Sequence, residues 1–111
     1  MGIKITADTF PAICVQAGLP KPMPEHVFAP PRKWRFDWLF TKDKDRGESD
    51  CFALEIEGGI WTKGRHTRGK GFLGDMEKYN EAAVMGIFVL RCTPQEFESG
   101  KVLTLLKRAM T

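Results

Sequence analysis

The stretch KWRFDWLF, Lys33–Phe40, decides the fold that this sequence predicts. Aromatic side chains occupy every second position in it, namely Trp34, Phe36, Trp38 and Phe40. Arg35, Asp37 and Leu39 lie between them. A hydrophobic period of two is typical of a β-strand, because successive side chains point to opposite faces of the sheet. We therefore predict a strand that buries its aromatic face and carries Arg35, Asp37 and Leu39 on the other.

Neighbouring segments extend this strand into a sheet. Cys51–Glu57 (CFALEIE) alternates in the same way, and Glu25–Ala29 (EHVFA) is typical of a short strand. The segment Thr41–Asp50 is almost wholly polar and contains Gly47, so it predicts a solvated hairpin loop. Three strands joined by short loops favour an antiparallel meander.

The second half of the chain predicts two helices separated by a fourth strand. Helical periodicity follows the glycine-rich segment Gly58–Gly71, with an expected buried stripe of Phe72, Leu73, Met76, Tyr79, Ala83 and Val84. Ile87–Arg91 (IFVLR) is typical of a strand, and after a helix we expect it to run parallel to an earlier strand. Thr93–Glu96 (TPQE) predicts a capping box that opens a last helix, interrupted near Gly100.

With a short helix over Thr9–Gln16, the predicted order is α-β-β-β-α-β-α. This order indicates the α/β (α+β) class with a mixed four-stranded sheet, in one domain over residues 1–111. A length of 111 residues supports one modest core, and 42% hydrophobic with 28% charged residues is ordinary globular composition, which excludes dominant disorder. The sequence has no apolar run long enough for a membrane span and no apolar block typical of a signal peptide near Met1. We therefore expect no membrane association and a cytoplasmic location.

Carboxylates gather on the face opposite the aromatic stripe. Glu55 and Glu57 project the same way, about 6 to 7 Å apart along their strand. Asp37 comes within reach of both if the two strands pair. Such hard oxygen ligands suit Mg²⁺ or Mn²⁺, and without a cation they repel each other, so removing one is expected to leave the fold intact. The alternative is that this face is simply wet, as one face of an antiparallel sheet often is.

A concentration of positive charge follows the carboxylate strand. Its members are Lys63, Arg65, His66, Arg68 and Lys70, interspersed with glycines that let the backbone approach a polyanion. With Arg35, the lysines and arginines are the candidate nucleic-acid contacts, and His66 is a candidate phosphate ligand or base. A metal site beside a cationic loop is what phosphodiester chemistry requires. The alternative is a solvated loop with an accidental charge bias.

One cation on the following helix has two interpretations. Lys78 lies one helical turn after Asp75, near Tyr79. It either stabilises charge that develops on a phosphate or forms a surface ion pair with Asp75.

The chain resembles the PD-(D/E)XK nuclease superfamily, most closely the small phage and bacterial endonuclease-like proteins related to very-short-patch repair and VRR-NUC nucleases. The resemblance runs from Glu25 to about Thr93. It is carried by Glu25 and by RFD at 35–37, LEIEGG at 54–59, GRH at 64–66, DMEKYN at 75–80 and GIFVLR at 86–91. It implies a restriction-endonuclease-like core, α-β-β-β-α-β, to which this chain adds a C-terminal helix.

The resemblance also implies roles for individual residues. Asp37 and Glu55 would bind the metal with the backbone carbonyl of Ile56, and Glu25 would add an acidic group from before the first strand. Glu57 stands where the superfamily usually has a lysine, and some members supply that lysine from the following helix, where Lys78 lies. Asp75 takes the place of glutamine in a QxxxY motif that ends here at Tyr79.

The implied activity is that of a Mg²⁺- or Mn²⁺-dependent DNA endonuclease, such as a Holliday junction resolvase-like enzyme of phage or bacterial recombination or DNA repair. A homodimer is expected, since cutting both strands needs two sites, and the location would be the cytoplasm of a bacterial or phage-infected cell. Two alternatives remain open: a catalytically inactive nucleic-acid-binding module of the same fold, and a phage protein that binds a host factor.

Overall fold

The computed structural model describes residues 4–28, 30–41, 51–58 and 70–110, and of residues 26 and 70–72 it describes the backbone only. The predicted loop over 42–50 lies outside the described residues. The elements of the described part are α1 (Phe10–Gln16), β1 (Met23–Val27), β2 (Arg35–Thr41), β3 (Cys51–Ile56), α2 (Lys70–Val84), β4 (Ile87–Cys92), α3 (Pro94–Ser99) and α4 (Lys101–Met110). No helix among these residues is both long and apolar enough to cross a membrane.

The strands form one mixed sheet in the order β1-β2-β3-β4. β1 pairs antiparallel with β2, and β2 pairs antiparallel with β3. β4 pairs parallel with β3, because α2 carries the chain back along the sheet before β4 begins. The predicted α/β class, antiparallel meander and parallel return are therefore confirmed. β1 begins earlier than predicted, and Pro24 is tolerated there because β1 is an edge strand.

Helices cover both faces of the sheet. The larger core cluster joins α1, α3 and α4 to one face, with Phe10, Phe97 and Leu106 packed near Trp38 and Phe40. A second cluster joins α2 to the other face and contains Phe28, Phe36, Leu39, Ala53, Ala82 and Ile87. The sheet is thus the middle layer of three.

This layering overturns the predicted one-sided burial of β2. Trp38 and Phe40 belong to the larger cluster, whereas Phe36 belongs to the second cluster together with Leu39. The change of face falls at Asp37, opposite Glu25, whose φ of 47° lies in the left-handed region that few non-glycine residues adopt. Leu39, predicted to lie with Asp37 on the side opposite the aromatic stripe, is buried because α2 covers that face.

The predicted apolar stripe of the long helix is only partly correct. Tyr79 does face inward and is half-buried, beside the fully buried Ala82, which was not in the predicted stripe. Leu73, Met76 and Val84 of α2 are instead exposed, Val84 by 80%. The reason is that polar side chains of α2 bind β3, as described below, and this contact sets the rotation of the helix.

The predicted capping box is confirmed at the start of α3. The Thr93 Oγ1 accepts a hydrogen bond from the Glu96 amide at 3.1 Å, and Glu96 Oε1 accepts one from the Thr93 amide at 2.9 Å. The bond from the Thr93 amide holds the pKa of Glu96 below its ordinary value. Gly100, at a φ of 85°, then ends α3 and separates it from α4.

Thr93→Ala is expected to lower the free energy of unfolding by about 1 kcal/mol, because the Glu96 amide loses its capping partner. Urea unfolding followed by circular dichroism measures the change. Thr104→Ala, on the exposed side of α4, is the matched control and should shift stability by less than about 0.5 kcal/mol. Equal effects of both substitutions would contradict a stabilising cap.

Candidate active site

Asp37 lies where β2 and β3 part. The described pairing of these strands begins at Trp38 and Leu54, one residue beyond Asp37 and Glu55. The exposed carboxylate of Asp37 instead accepts a hydrogen bond from the Ile56 amide, with 2.7 Å between Oδ2 and the nitrogen. The Ile56 carbonyl accepts from the Gly58 amide at 3.1 Å and keeps a second lone pair. A side chain of β2 thus holds the backbone of the segment that resembles (D/E)XK.

A cavity of about 490 Å³ opens beside Asp37, between β1, β2 and α1. Glu25 and Asp8 line it with Asp37, and Ile56 lies in its wall. Glu25 lies within β1, in agreement with the predicted strand Glu25–Ala29 and not before the first strand as the resemblance implied. It shares this cavity with Asp37. Arg35 forms an exposed ion pair with Glu25 at 3.9 Å.

On the α2 side of the sheet, Glu55 is held by two residues of α2. Lys78 Nζ lies 2.5 Å from Glu55 Oε1, and the Tyr79 hydroxyl donates to Glu55 Oε2. The Lys78 and Glu55 side chains are only 15% and 12% exposed. Lys78 thus turns toward the sheet and pairs with Glu55, whereas Asp75 is exposed.

Glu57 and Arg91 complete this group. The Tyr79 hydroxyl lies 3.5 Å from Glu57 Oε1, and Arg91 Nε lies 3.5 Å from the same oxygen. The Arg91 guanidinium carbon lies 4.0 Å from the centre of the Tyr79 ring. We call these five residues, Glu55, Glu57, Lys78, Tyr79 and Arg91, the Glu55 cluster. Its two carboxylates are balanced by two cations.

The hydroxyl of Tyr79 remains a donor within the Glu55 cluster. Burial raises the pKa of Tyr79, and the hydrogen bond to Glu55 and the negative charges of Glu55 and Glu57 raise it further. Removing the proton would place a third negative charge between two carboxylates. Tyr79 therefore fixes the orientation of Glu55 by donation.

The predicted metal ligands lie in two groups, on either side of the end of β3. Glu55 and Glu57 meet at Tyr79, while Asp37 meets the Ile56 amide and shares its cavity with Glu25. Within residues 4–28, 30–41, 51–58 and 70–110, no three His, Cys, Asp or Glu side chains group closely enough to hold a metal. The donors are nevertheless of the chemical kind that Mg²⁺ and Mn²⁺ prefer, carboxylates and a backbone carbonyl.

Part of the predicted site lies outside the described residues. Lys63, Arg65, His66 and Arg68 belong to that part, and Lys70 is described only as the backbone start of α2.

One member of the Glu55 cluster, Arg91, had no role predicted from the sequence. Tyr79 was predicted as part of an apolar stripe and as the end of a QxxxY-like motif, but not as a partner of Glu55. The signal for Arg91 was the parallel return of β4, since the register of β3 and β4 places Arg91 directly beside Glu55.

Comparison with known proteins adds no family to this geometry. No protein-family model matches the chain, and no curated protein or solved structure shows significant similarity to it.

Proposed function

We propose that this protein is a metal-dependent DNA endonuclease with a restriction-endonuclease-like core. The observation that carries the proposal is the contact of Lys78 with Glu55 at 2.5 Å. The PD-(D/E)XK resemblance expects a lysine near the metal-binding acid, and Glu57 occupies its usual place. Lys78, from the following helix, supports the proposal by bringing an ammonium group to that acid.

The residues would divide the chemistry as follows. Asp37, Glu55, the Ile56 carbonyl and Glu25 would hold Mg²⁺ or Mn²⁺, which supplies Lewis acidity toward the phosphate and lowers the pKa of bound water. Lys78 stabilises negative charge that develops on the phosphate, a role for a positioned cation in a poorly solvated site. Glu57 would add a further carboxylate toward the metal, and His66 would assist at the phosphate.

DNA would be held mainly by charge. Lys63, Arg65, Arg68, Lys70 and Arg35 would contact the phosphate backbone, which gives affinity without sequence preference. Action on both strands implies a homodimer, as in Holliday junction resolution. The setting that we propose is phage or bacterial recombination or DNA repair, in the cytoplasm of a bacterial or phage-infected cell.

A second function has its own supporting observation. Both oxygens of Glu55 accept from the protein's own Lys78 and Tyr79, and Glu57 replaces the usual lysine. This arrangement favours a nucleic-acid-binding module of the same fold that does not cleave.

The test is a nuclease assay on branched, duplex and single-stranded DNA. We expect cleavage with Mg²⁺ or Mn²⁺ and none with EDTA. Asp37→Asn should lower the cleavage rate about 100-fold or more, because it removes a ligand charge from the metal site. The asparagine oxygen still accepts from the Ile56 amide, so folding should be preserved.

Glu81→Gln is the matched control, since Glu81 is an exposed acid of α2 to which the proposal gives no role. Equal activity of wild type and Asp37→Asn would contradict the metal site. Binding of DNA without cleavage would favour the binding module. Neither binding nor cleavage would favour a phage protein that binds a host factor.

A further inference from the structure

We infer that Arg91 is a DNA-binding residue that contacts a phosphate of the substrate, an inference that rests on the proposed nuclease function. Arg91 had no role predicted from the sequence. Three properties of its position carry the inference: its register, its orientation and its access to solvent.

The register places Arg91 in the candidate active site. β4 runs parallel to β3, and Arg91 is the direct partner of Glu55 in that ladder. Cross-strand partners project from the same face of a sheet, so Arg91 shares the α2 face with Glu55. It therefore borders the carboxylate that Lys78 contacts.

The orientation of the guanidinium is set on two sides. Its Nε approaches Glu57 Oε1 at 3.5 Å, and its central carbon lies over the Tyr79 ring, 4.0 Å from the ring centre. Tyr79 is itself bound to Glu55. Among the described residues, these contacts use Nε and one face of the group and leave the fork of terminal nitrogens for a ligand.

Solvent exposure distinguishes Arg91 from Lys78, the other cation of the Glu55 cluster. The Arg91 side chain is 51% exposed, whereas that of Lys78 is 15% exposed. Arg91 also borders an open surface depression of about 300 Å³, which Glu57, Cys92, Thr93 and Glu96 line as well, so a phosphate can reach the guanidinium from solvent. An oriented, accessible guanidinium fork matches phosphate geometry by paired hydrogen bonds.

The competing explanation is that Arg91 only neutralises Glu57. The two roles give different results when Glu57 loses its charge. An arginine that only neutralises Glu57 then becomes dispensable, whereas an arginine that contacts a phosphate does not. Arg91→Lys also distinguishes the two roles, because it retains the charge but loses the planar fork.

The experiment measures binding of a short fluorescent DNA duplex by anisotropy, in EDTA to prevent metal-dependent cleavage. We expect Arg91→Ala to raise Kd about tenfold or more, as loss of a charge-assisted contact does. The slope of log K against log salt concentration should fall by about 0.9. Arg91→Lys should lose most of the affinity, and Glu57→Gln should not restore binding to Arg91→Ala.

Arg91→Gln keeps much of the side-chain stem and is the second variant, should Arg91→Ala not fold. Arg108→Ala, in the exposed last turn of α4, is the control and should leave Kd unchanged. An unchanged Kd in both Arg91→Ala and Arg91→Gln, or full rescue by Glu57→Gln, would overturn the inference alone. Failure of the wild type to bind DNA would overturn the proposed function, and the inference with it.

Discussion

Glu55→Ala is expected to lower the free energy of unfolding by about 3 kcal/mol, although the sequence suggested that removing a carboxylate would leave the fold intact. The physical reason is that Glu55 is mostly buried and both of its oxygens are bound. Its removal leaves the Lys78 ammonium, only 15% exposed, without its carboxylate and leaves the Tyr79 hydroxyl without its main acceptor. Urea unfolding monitored by tryptophan fluorescence measures the loss.

Two comparisons isolate the cause of this loss. Glu98→Ala removes an exposed acid with a long 3.9 Å pair to Lys4, and should cost less than about 0.5 kcal/mol. A double-mutant cycle of Glu55→Ala with Lys78→Met should give a coupling free energy of about 1 to 3 kcal/mol. A gain of stability in Glu55→Ala would support repulsion among the carboxylates and contradict a stabilising ion pair with Lys78.

Lys78→Met is expected to lower kcat for DNA cleavage about 100-fold, with little change in Mn²⁺ or DNA affinity. The ammonium group lies against Glu55, and Glu57, as an acid, cannot supply the missing positive charge. Methionine keeps most of the apolar stem of the side chain, whose Nζ lies 4.8 Å from the centre of the Phe36 ring. Single-turnover cleavage, calorimetry with Mn²⁺ and anisotropy with DNA separate the three quantities.

Lys107→Met is the matched control, because Lys107 is an exposed lysine in the last turn of α4. It should retain kcat within about twofold. The melting temperature of Lys78→Met shows whether activity is lost through unfolding. A folded variant with reduced kcat implicates the charge itself. Turnover close to wild type in folded Lys78→Met would refute the role of Lys78 and point to His66 or a second metal.

Local patterns in the sequence were enough to predict the order of the strands and helices along the chain. The alternation in Cys51–Glu57 and the short apolar run Ile87–Arg91 predicted the sheet strands, and β4 does return parallel to β3. The TPQE pattern predicted the capping box because both of its hydrogen bonds join residues three apart in the chain. Helical spacing left Lys78 with two interpretations, and the resemblance favoured its role near the phosphate. In the structure its partner is Glu55 and not Asp75.

The sequence by itself determined the order of elements, the cap of α3 and which residues alternate along each strand. Only the tertiary structure decided which sides are buried. Alternation in Lys33–Phe40 marks two sides of a strand, but burial of a side depends on the layer that packs against it. Helices on both faces bury Leu39 as well as Phe40. The polar contacts of Lys78 and Tyr79 with Glu55 set the rotation of α2, which leaves Leu73 and Val84 exposed. Arg91 joins this site because the β3–β4 register, a contact between residues distant in the chain, places it beside Glu55.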